Sequence, residues 1–557
     1  MNLIRFFYAS SRLPITLAML AAIGSGLSGT ALIKVLTDGI TDSAVAYPFG
    51  LTFAGLCLAQ LLTRCSTQLI VLRLTHNAVR DMRLRISERI LASPLRKLEE
   101  IGNPKLLVVL SKDIDNFANS LQLAPQVFAG GVVVLCSMAY LAWLSWAWFL
   151  MFSVALVVCF TGFRLAQRFP TSQIRLVREQ LDTVYRLFRD LLEGTKELQL
   201  NRARGQHFVS SVIAPEVQAY RRSVIRGFSA FIWIINIGDI LFYAVIGLLL
   251  FAVPGWLGMA MPVDLLVKIG LTLLYLIGPI GAISNAMPAF GQASVALGKI
   301  QKLEADLDHD APLPDAADPF GEPVSNAPLL TLRNVVYEYT PLGDVKAFRL
   351  GPLNLDIPQG KISFIVGSNG SGKSTLAKVL SSLYAPESGT ISMNGVPVTP
   401  ANVEHYRQRF SAVFADFHLF EQLMGVGGVH SNDIAAEYLR KLRIENKVSL
   451  KDGRFSTVDL SSGQKKRVAL IVSYLEDRPI YLFDEWASDQ DPVFKRFFYA
   501  ELLPELRERG KTVIAISHDD AYFHHADHVF RIDETALDEA ASRDDEAIRR
   551  LSVRMPA

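Results

Sequence analysis

Six long apolar stretches in the first 300 residues constrain the fold of this chain more than its other features do. A helix that crosses a bilayer needs about 20 mostly apolar residues, and each stretch meets that length. The first run, Leu13 to Ile33, is too long for a signal peptide and lacks a clear cleavage site. We therefore expect it to stay in place as a span. The six stretches are approximately 13–36, 50–72, 121–144, 146–163, 228–252 and 264–288.

The composition agrees with a chain that is partly embedded in a membrane. Apolar types make up 50% of the 557 residues, charged types make up 20%, and the mean hydropathy is +0.27. These values are more apolar than those of an ordinary soluble domain. The formal net charge of only +2 gives no bulk basic character and argues against a nucleic-acid partner. The four cysteines lack CxxC spacing, and we interpret them as small packing residues: Cys57, Cys65, Cys136 and Cys159.

Positive charge is concentrated in two long segments between the apolar stretches. Segment 73–120 carries nine Lys/Arg residues and segment 164–227 carries twelve, while the alternate connections at 37–49, Ser145 and 253–263 carry none. Because cytoplasmic loops of membrane proteins hold the positive charge, both segments and the N-terminus are predicted to be cytoplasmic. Helical periodicity in these segments predicts that the membrane helices continue into the cytoplasm. Orientation explains these arginines better than a nucleic-acid surface does.

Ionisable residues within the apolar stretches are candidates for function. Arg64 and Asp239 lie inside such stretches, and Lys268 lies near the start of one. Pairing between helices, or extension of the charge to the membrane surface, is the alternative interpretation. Five aromatic residues are predicted either to line a cavity or to face lipid. They are Phe228, Phe231, Trp233, Phe242 and Tyr243.

The composition changes abruptly after Leu303. Residues rich in Pro, Asp and Ala follow and indicate a linker, after which short β-branched runs alternate with helical segments. This alternation predicts an α/β domain. The tail after Asp533 is predicted to be a solvated helix or a frayed end. The predicted divisions are a transmembrane domain at 1–305, a linker at 306–327, a nucleotide-binding domain at 328–540 and a tail at 541–557.

A glycine-rich loop, GSNGSGKST, follows the strand-like ISFIV and precedes the helix-like TLAKVLSSLY. It fits the phosphate-loop pattern G-x-x-x-x-G-K-[ST], in which backbone N–H groups and a helix N-terminus hold phosphates. Lys373 can reach the β- and γ-phosphates, and the Ser374 hydroxyl suits Mg²⁺. The predicted phosphate-binding residues are Gly367, Ser368, Asn369, Gly370, Ser371, Gly372, Lys373, Ser374 and Thr375.

A second element, PIYLFDEW, is an apolar strand that ends in two carboxylates. The carboxyl ends of strands are where α/β sheets bind ligands. Asp484 can hold the Mg²⁺ shell, and Glu485 can polarise the attacking water as a catalytic residue. The alternative is a pair of surface acids at a strand end. It is disfavoured because the phosphate loop, the acidic strand and a later ISH triplet occur in the expected order.

A third element, LSSGQKKR, closely resembles the LSGGQ signature of ATP-binding cassette (ABC) proteins. The resemblance implies that Ser461, Gly463 and Gln464 meet the γ-phosphate that a second subunit holds. It further implies the roles of three residues outside that element. His518 is similar to the switch histidine at the γ-phosphate, Tyr339 to the aromatic that stacks on adenine, and Asp491 to the aspartate of the loop joining two cassettes.

The whole chain resembles a half-transporter of the ABC exporter type, and more closely the bacterial cyclic-peptide and siderophore-peptide exporters. The shared sequence segments are EGTKELQLNRAR, FSAVFADFHLF, LSSGQKKRVAL, FDEWASDQDP and ISHDDAYFHHAD. General exporters usually have DEATSALD where this chain has DEWASDQD. The resemblance implies a membrane all-α six-helix transmembrane domain, type IV ABC exporter-like, fused to an α/β P-loop nucleotide-binding domain. It also implies ATP and Mg²⁺ as cofactors, a homodimer, a peptide-like substrate, and a multi-pass position in the bacterial inner membrane.

One position departs from the family pattern. General cassette proteins carry a glutamine after the fourth strand that contacts Mg²⁺ and couples the nucleotide to the membrane helices. The aligned residue here is Ala415, which can do neither. Two hypotheses follow: Asp416 approaches the metal instead, or the segment 417–420 couples by packing alone.

The leading hypothesis is ATP-driven export of a modified or cyclic peptide, such as a siderophore precursor, a lipopeptide or a microcin-like molecule. A homodimer would perform this export by alternating access, as an ATP hydrolase coupled to transport. The alternative within the same class is a broad lipid or multidrug exporter. A membrane-tethered regulatory ATPase is the alternative from another class, and the intact catalytic set argues against it.

Overall fold

A computed structural model describes most of the chain, which forms two compact units. The first unit comprises Met1–Arg89 and Pro104–Asp306, and the second comprises Ile90–Asn103 and Leu307–Ala557. The second unit therefore includes a short excursion from the N-terminal half of the chain. The described residues are 12–41, 47–166, 168–252, 262–307, 317–321, 328–339, 348–425, 431–533 and 536–542.

The first unit is built of helices in its described part. Its principal helices are α1 (Arg12–Thr41), α2 (Tyr47–Ala92), α4 (Asn103–Val108), α5 (Ile114–Gln122), α6 (Ala124–Leu144), α7 (Trp146–Ala166), α8 (Arg168–Glu193), α9 (Thr195–Leu200), α10 (Arg202–His207), α11 (Ala214–Gly247) and α12 (Val263–Leu307). Wider π-helical turns join several of them, at Val109–Asp113, Phe208–Ile213 and Leu248–Ala252. The short helix α3 (Leu95–Ile101) belongs to the second unit.

Within the described part of the chain, six helical stretches are long and apolar enough to cross a membrane, as the sequence predicts. Several run well beyond the predicted spans. Helix α2 has 46 residues, which at 1.5 Å per residue makes it about 70 Å long, more than twice the hydrocarbon thickness of a bilayer. The six stretches are Thr16–Gly39, Gly50–Ala92, Asn103–Leu144, Trp146–Ala166, Arg202–Ala252 and Val263–Leu307.

Side chains in the apolar helices are partly used for packing and partly exposed. Phe242 meets Phe152 edge-on at 5.9 Å between ring centroids, in a cluster of α6, α7, α11 and α12. The aromatic side chains of Phe228, Trp233 and Tyr243 are exposed, whereas that of Phe231 lies outside the described residues.

Lys268 and the cysteines bear on two of the sequence interpretations. Lys268 pairs with Asp38 at 3.4 Å and with Asp264 at 3.5 Å, which supports the pairing interpretation for this residue. The packing interpretation of the cysteines is wrong for Cys57 and Cys65, which are exposed, whereas Cys136 and Cys159 are partly buried. An apolar side chain on a membrane helix needs no protein partner, because lipid tails are equally apolar.

The second unit contains a six-stranded sheet in the order β12-β11-β3-β10-β9-β6 and a four-stranded antiparallel sheet in the order β2-β1-β4-β5. The pairs β11–β3, β3–β10, β10–β9 and β9–β6 are parallel. The strands are β1 (Pro328–Glu338), β2 (Arg349–Pro358), β3 (Ile362–Gly367), β4 (Ser388–Met393), β5 (Val396–Pro397), β6 (Phe410–Val413), β7 (Leu450–Lys451), β8 (Arg454–Phe455), β9 (Ile480–Asp484), β10 (Thr512–Ile516), β11 (His528–Asp533) and β12 (Ala536–Ser542).

Helices cover both faces of the parallel sheet. Strands β9 and β10 are buried at every position, as expected for parallel strands that lie between two layers. The helices are α13 (Lys373–Leu380), α14 (Val403–Arg407), α15 (Ser431–Lys441), α16 (Ser462–Glu476), α17 (Pro492–Arg496) and α18 (Leu503–Glu508), with a π-helical turn at Phe497–Leu502. This confirms the predicted α/β class.

Two sequence interpretations need correction in this unit. The Pro- and Asp-rich segment, predicted to be a linker, contains Phe320, which is only 1% exposed and packs against Tyr406. One aromatic side chain is enough to anchor a polar segment, and it gives no periodic signal. The tail predicted to be helical or frayed begins instead with β12, which pairs antiparallel with β11. Residues 543–557 lie outside the described part of the chain.

Phe320→Ala should destabilise the second unit. Removing a fully buried phenylalanine typically costs about 3–5 kcal/mol in the free energy of unfolding. For a unit of this size a cost of about 3 kcal/mol corresponds to roughly 6–12 °C in melting temperature. Scanning calorimetry of the full chain, following the transition that ATP shifts, would measure the change. Phe420→Ala, at an exposed phenylalanine, is the control. Equal shifts for the two variants would show that Phe320 is not an anchor.

Candidate functional site

Three neighbouring parallel strands bring the predicted motifs to one edge of the sheet. In β10, Ile516 pairs with Ile365 of β3 on one side and with Asp484 of β9 on the other. The loops that follow these strands therefore start side by side, at the carboxyl edge where α/β sheets bind ligands. The glycine-rich loop follows β3, Glu485 follows β9, and His518 follows β10.

The glycine-rich loop curls between β3 and α13. Gly370 has φ 83° and Gly372 has φ 94°, a left-handed region that favours glycine. Ser368, Asn369 and Gly370 are exposed. Gly367 closes β3, and Lys373, Ser374 and Thr375 form the first turn of α13.

Polar groups of this loop suit an anion. The Lys373 ammonium is buried and donates to the carbonyls of Gly367 at 3.1 Å and Ser368 at 2.7 Å. Burial lowers the pKa of Lys373, while the carboxylates of Glu485 and Asp484 oppose that shift. The Ser371 hydroxyl is buried and has no hydrogen-bond partner among the described residues. A cation and an unsatisfied hydroxyl in one loop fit a phosphate ligand.

Ser374 and Asp484, both predicted to hold Mg²⁺, meet in the structure. The Ser374 hydroxyl donates to Asp484 Oδ1 at 3.2 Å. Burial raises the pKa of Asp484, whereas this hydrogen bond and one from the Ala415 backbone N–H lower it. A hydroxyl and a carboxylate supply the hard oxygen ligands that Mg²⁺ takes when phosphates provide others. The pair therefore fits the ion predicted for it.

Glu485 and His518 also meet, at the next position along the same edge. The Nε2 atom of His518 lies 3.2 Å from Oε1 of Glu485. Glu485 has φ 51°, and its backbone N–H donates to the Ile516 carbonyl at 3.1 Å. A left-handed conformation is uncommon for a residue other than glycine, and such strain concentrates at functional sites. The carboxylate is partly exposed, so that water can reach it.

Tyr339 lies beside the phosphate loop, where the adenine role requires it. Its hydroxyl is 3.3 Å from Thr375 Oγ1 and 3.5 Å from the hydroxyl of Tyr384. Its ring contacts Phe348 and meets Tyr384 edge-on. These contacts fix the direction of the ring next to the first turn of α13.

The signature sequence forms the N-terminus of α16. Ser461 caps the helix, because its hydroxyl accepts from the Gln464 backbone N–H and its own N–H donates to the Gln464 side chain at 3.2 Å. A Cβ at Gly463 would lie 3.0 Å from the Asp489 carbonyl, which explains the glycine. Ser461 itself is exposed. Its exposed position at a helix N-terminus is compatible with an anion from another subunit.

The side chain of Asp491 caps the N-terminus of α17. Its carboxylate accepts from the backbone N–H groups of Val493 and Phe494, and it pairs with Arg467 at 3.4 Å. The Arg467 guanidinium lies over the Phe494 ring, 3.3 Å from its centroid. The loop predicted to join two cassettes is thus tied to the signature helix of its own chain.

Lys466 is a site residue that sequence reasoning missed. It is 3% exposed, and its ammonium donates to the Glu485 carbonyl and to the Ser488 hydroxyl, both at 2.9 Å. It also pairs with Asp489 at 3.0 Å. The sequence signal for this role was Asp489, the sixth residue of DEWASDQD. General exporters have alanine at that position and could not form the ion pair with Lys466. Lys466 thus links the signature helix directly to the backbone of Glu485.

The excursion 90–103 adds a second group of residues that the sequence did not indicate. On α3, Glu99 accepts from Lys378 at 3.1 Å and from the Tyr384 hydroxyl. Burial lowers the pKa of Lys378, but the hydrogen bond that Lys378 donates to Glu99 and the charge of Glu99 raise this pKa above its usual value overall. Lys378 lies on α13 directly after the phosphate loop, and Tyr384 contacts Tyr339. Glu99 is therefore linked to the phosphate-loop helix through Lys378, and to the predicted adenine-stacking residue Tyr339 through Tyr384.

At the position that departs from the family, Ala415 is exposed and Asp416 is 75% exposed. The carboxylate of Asp416 faces Lys378 at 3.8 Å, and the backbone N–H of Ala415 supports Asp484. Phe417 packs against the core, whereas Phe420 is exposed. These contacts favour an indirect role for Asp416 over metal binding.

Asp416→Asn should leave the Mg²⁺ dependence of ATP hydrolysis unchanged. An exposed ion pair contributes only about 0–1 kcal/mol, so at least about a fifth of the activity should remain. Titration of the ATPase rate with Mg²⁺ in wild-type and variant protein would test this. A clear increase in the Mg²⁺ concentration needed for half-maximal rate would instead place Asp416 in the metal shell.

Comparisons with known proteins extend the similarity to the whole chain. The family profile described as "ABC transporter" matches residues 350–488, and "ABC transporter transmembrane region" matches residues 14–279. ATP-binding protein SyrD of Pseudomonas syringae pv. syringae is 34% identical over 550 residues, 95% of either chain. An ATP-dependent lipid A-core flippase of Vibrio vulnificus (strain YJ016) is 33% identical over 208 residues, 35% of either chain.

A solved structure shows the same fold over nearly the full length. The structure of a bacterial Atm1-family ABC exporter with ATP bound matches with a TM-score of 0.76, covering 99% of this chain and 100% of that one. Its 19% identity supports the fold alone. The family profiles and the full-length similarity to SyrD establish the family. The chain is a half-transporter of the ATP-binding cassette exporter family, with a helical membrane region and one nucleotide-binding domain.

Proposed function

We propose that the protein exports a modified or cyclic peptide across the bacterial inner membrane, driven by ATP hydrolysis in a homodimer. The observation that carries the proposal is the meeting of the phosphate loop, Asp484, Glu485 and His518 at one sheet edge, on the same chain as six described helices long and apolar enough to span a membrane. The whole-length similarity to SyrD supports the exporter class. The distinctive sequence segments around Glu193, Asp416 and Asp489 support a peptide as the exported cargo.

Hydrolysis is assigned to the edge of the parallel sheet. The phosphate loop binds the nucleotide, Lys373 neutralises its β- and γ-phosphates, and Tyr339 stacks on the adenine. Glu485 accepts a proton from the attacking water, and His518 holds the carboxylate in position and contacts the γ-phosphate. Ser374 and Asp484 would hold Mg²⁺, which when bound neutralises charge that develops on the phosphates.

A second copy completes each site. The exposed N-terminus of α16, with Ser461, Gly463 and Gln464, would meet the γ-phosphate held by the partner, and Asp491 lies in the joining loop. Closure of two nucleotide-binding domains would draw the helix extensions together and turn the membrane cavity outward. Transport follows because the two states differ in their affinity for nucleotide.

The positive-inside pattern supports the proposed orientation. Segments 73–120 and 164–227 carry all 21 positive charges counted in the connections, and this supports a cytoplasmic position for them and for the nucleotide-binding domain. Substrate would enter the site from that side.

A broad lipid exporter is the second candidate, favoured by the similarity to the lipid A-core flippase. That similarity covers only about a third of either chain, whereas the similarity to SyrD covers both chains almost entirely.

Reconstitution in liposomes would separate the candidates. ATP-dependent accumulation of an added cyclic peptide, absent in Glu485→Gln, supports the proposal. Flipping of labelled lipid without peptide accumulation supports the second candidate. ATP hydrolysis without movement of either cargo would contradict both and favour a regulatory ATPase.

A further inference from the structure

A cavity of about 370 Å³ lies among four helices of the first unit. Its wall takes residues from α1, α2, α6 and α12, all within stretches long and apolar enough to span a membrane. Arg64 lines it, roughly 20 Å along α2 from Gly50 at 1.5 Å per residue. An ionisable residue at such depth marks a pathway or a ligand site by default.

Arg64 has no carboxylate partner within ion-pair distance among the described residues. Lys268, near the start of its apolar stretch, pairs with both Asp38 and Asp264. A guanidinium presents a planar fork of N–H donors that matches a carboxylate or phosphate with two parallel hydrogen bonds. The cavity therefore has a fixed positive charge that its own wall leaves without a neighbouring counter-charge.

Neutral polar groups surround that charge. Gln60, Gln68 and Gln126 bring side-chain amides to the wall, and Tyr275 brings a hydroxyl. Gly29 leaves room for this arrangement, because a Cβ there would lie 2.5 Å from the Tyr275 hydroxyl and 3.2 Å from the Gln60 amide nitrogen. Amides both donate and accept hydrogen bonds, which suits a ligand that carries peptide bonds.

Pro279 leaves one backbone carbonyl of α12 without its usual helical donor. It lies inside α12 and has no N–H, so it removes the helical donor that the Tyr275 carbonyl would otherwise have. Tyr275 and Pro279 both line the cavity. A phosphatidylglycerol headgroup offers no N–H groups to amide and carbonyl acceptors, whereas a peptide backbone does.

We propose that this cavity binds an amphipathic peptide through a carboxylate, with Arg64 as the anion-binding residue and the glutamine amides contacting the peptide bonds. The proposal rests on the peptide-export function and names the chemistry of its cargo. It makes Arg64 a determinant of specificity: cargo with a free carboxylate is preferred over the same cargo without one.

Equilibrium binding to the full-length protein tests this in phosphatidylcholine nanodiscs without ATP. The probes are a labelled cyclic octapeptide of leucine and phenylalanine with one glutamate, and its glutamine counterpart. We expect the glutamate peptide to bind wild type at least about tenfold more tightly. Arg64→Gln should abolish the difference between the peptides, and Arg64→Lys should restore part of it. Equal binding of both peptides to wild type, or no binding up to about 1 mM, overturns the proposal.

Arg73→Gln is the matched control. Arg73 is exposed on the same helix, outside the cavity, and its replacement should leave the preference unchanged. Loss of the preference in this variant would overturn the role of Arg64. If Arg64→Gln does not yield folded protein, Arg64→Lys and Gln68→Ala carry the test, since each should weaken binding of the glutamate peptide. Unchanged binding in both would refute the site.

Nanodiscs that contain phosphatidylglycerol test whether Arg64 binds a lipid phosphate instead of a peptide carboxylate. Competition by phosphatidylglycerol that Arg64→Gln removes would show that the anion is a lipid phosphate and overturn the peptide assignment. Failure of the proposed function gives a different result, because binding is measured without hydrolysis. A glutamate peptide that binds through Arg64 but is not moved in liposomes would contradict export and leave the site standing.

Discussion

Glu485→Gln should still bind ATP but lower the rate of ATP hydrolysis by at least about 100-fold, which is the lower range for loss of a positioned general base. Glutamine keeps the shape and polarity of the side chain but cannot accept a proton. The contact with His518 at 3.2 Å would be retained in altered form, so the loop should keep its conformation. Phosphate release would measure the rate, and binding of a fluorescent ATP analogue would measure affinity.

Glu501→Gln provides the control for this result. Glu501 is an exposed carboxylate of the same unit, outside the candidate site, and its replacement should change neither quantity. Normal turnover in Glu485→Gln would remove Glu485 as the catalytic base. Loss of ATP binding in that variant would show that the carboxylate supports the nucleotide site itself.

Lys466→Met should lower kcat with little change in the KM for ATP. Methionine keeps the apolar stem but removes three interactions of the ammonium, with the Glu485 carbonyl, with Ser488 and with Asp489. A hydrogen bond to a charged group contributes about 1.5–3 kcal/mol, and the Glu485 carbonyl would lose one. If that energy holds Glu485 in its left-handed conformation, kcat should fall by roughly 10- to 100-fold.

Lys465→Met is the matched control, because it removes a neighbouring lysine for which no side-chain partner has been assigned. Lys466→Arg should recover part of the rate, since it keeps the charge. If Lys466→Met lowered the melting temperature and left kcat intact, the residue would be structural only. A change in KM alone would assign it to nucleotide binding instead of to the position of Glu485.

Contiguous motifs were the predictable part of this molecule. The phosphate loop depends on nine successive residues whose strand-turn-helix setting is visible in the sequence, and the structure places them between β3 and α13. The number of membrane-spanning helices was predictable for the same local reason, since length and apolarity decide it. The meeting of Ser374 with Asp484, and of Glu485 with His518, followed from the order of the parallel strands.

Pairings that do not follow from a motif or from the order of the parallel strands were not predictable. Lys466 and Glu485 are 19 residues apart and meet only because α16 packs next to β9. Phe320 lies in a segment whose polar composition gives no sign of this buried aromatic side chain. Arg64 and Lys268 looked equivalent as charges in apolar stretches, yet Lys268 has acids beside it and Arg64 lines a cavity. The residues next to a side chain in the sequence do not show which distant residue the fold will bring into contact with it.

The excursion 90–103 means that the nucleotide-binding unit is not one continuous piece of polypeptide. A fragment cut at Leu307 would lack Glu99, and with it the acceptor for Tyr384 and the stronger counter-charge of Lys378. Its phosphate-loop helix would then keep the Lys378 ammonium with the more distant carboxylate of Asp416, at 3.8 Å, in place of the closer Glu99. ATPase rates measured on such a fragment would come from a nucleotide site whose electrostatic environment differs from that of the transporter. Supplying the peptide of residues 90–103 in trans should restore part of the missing charge balance.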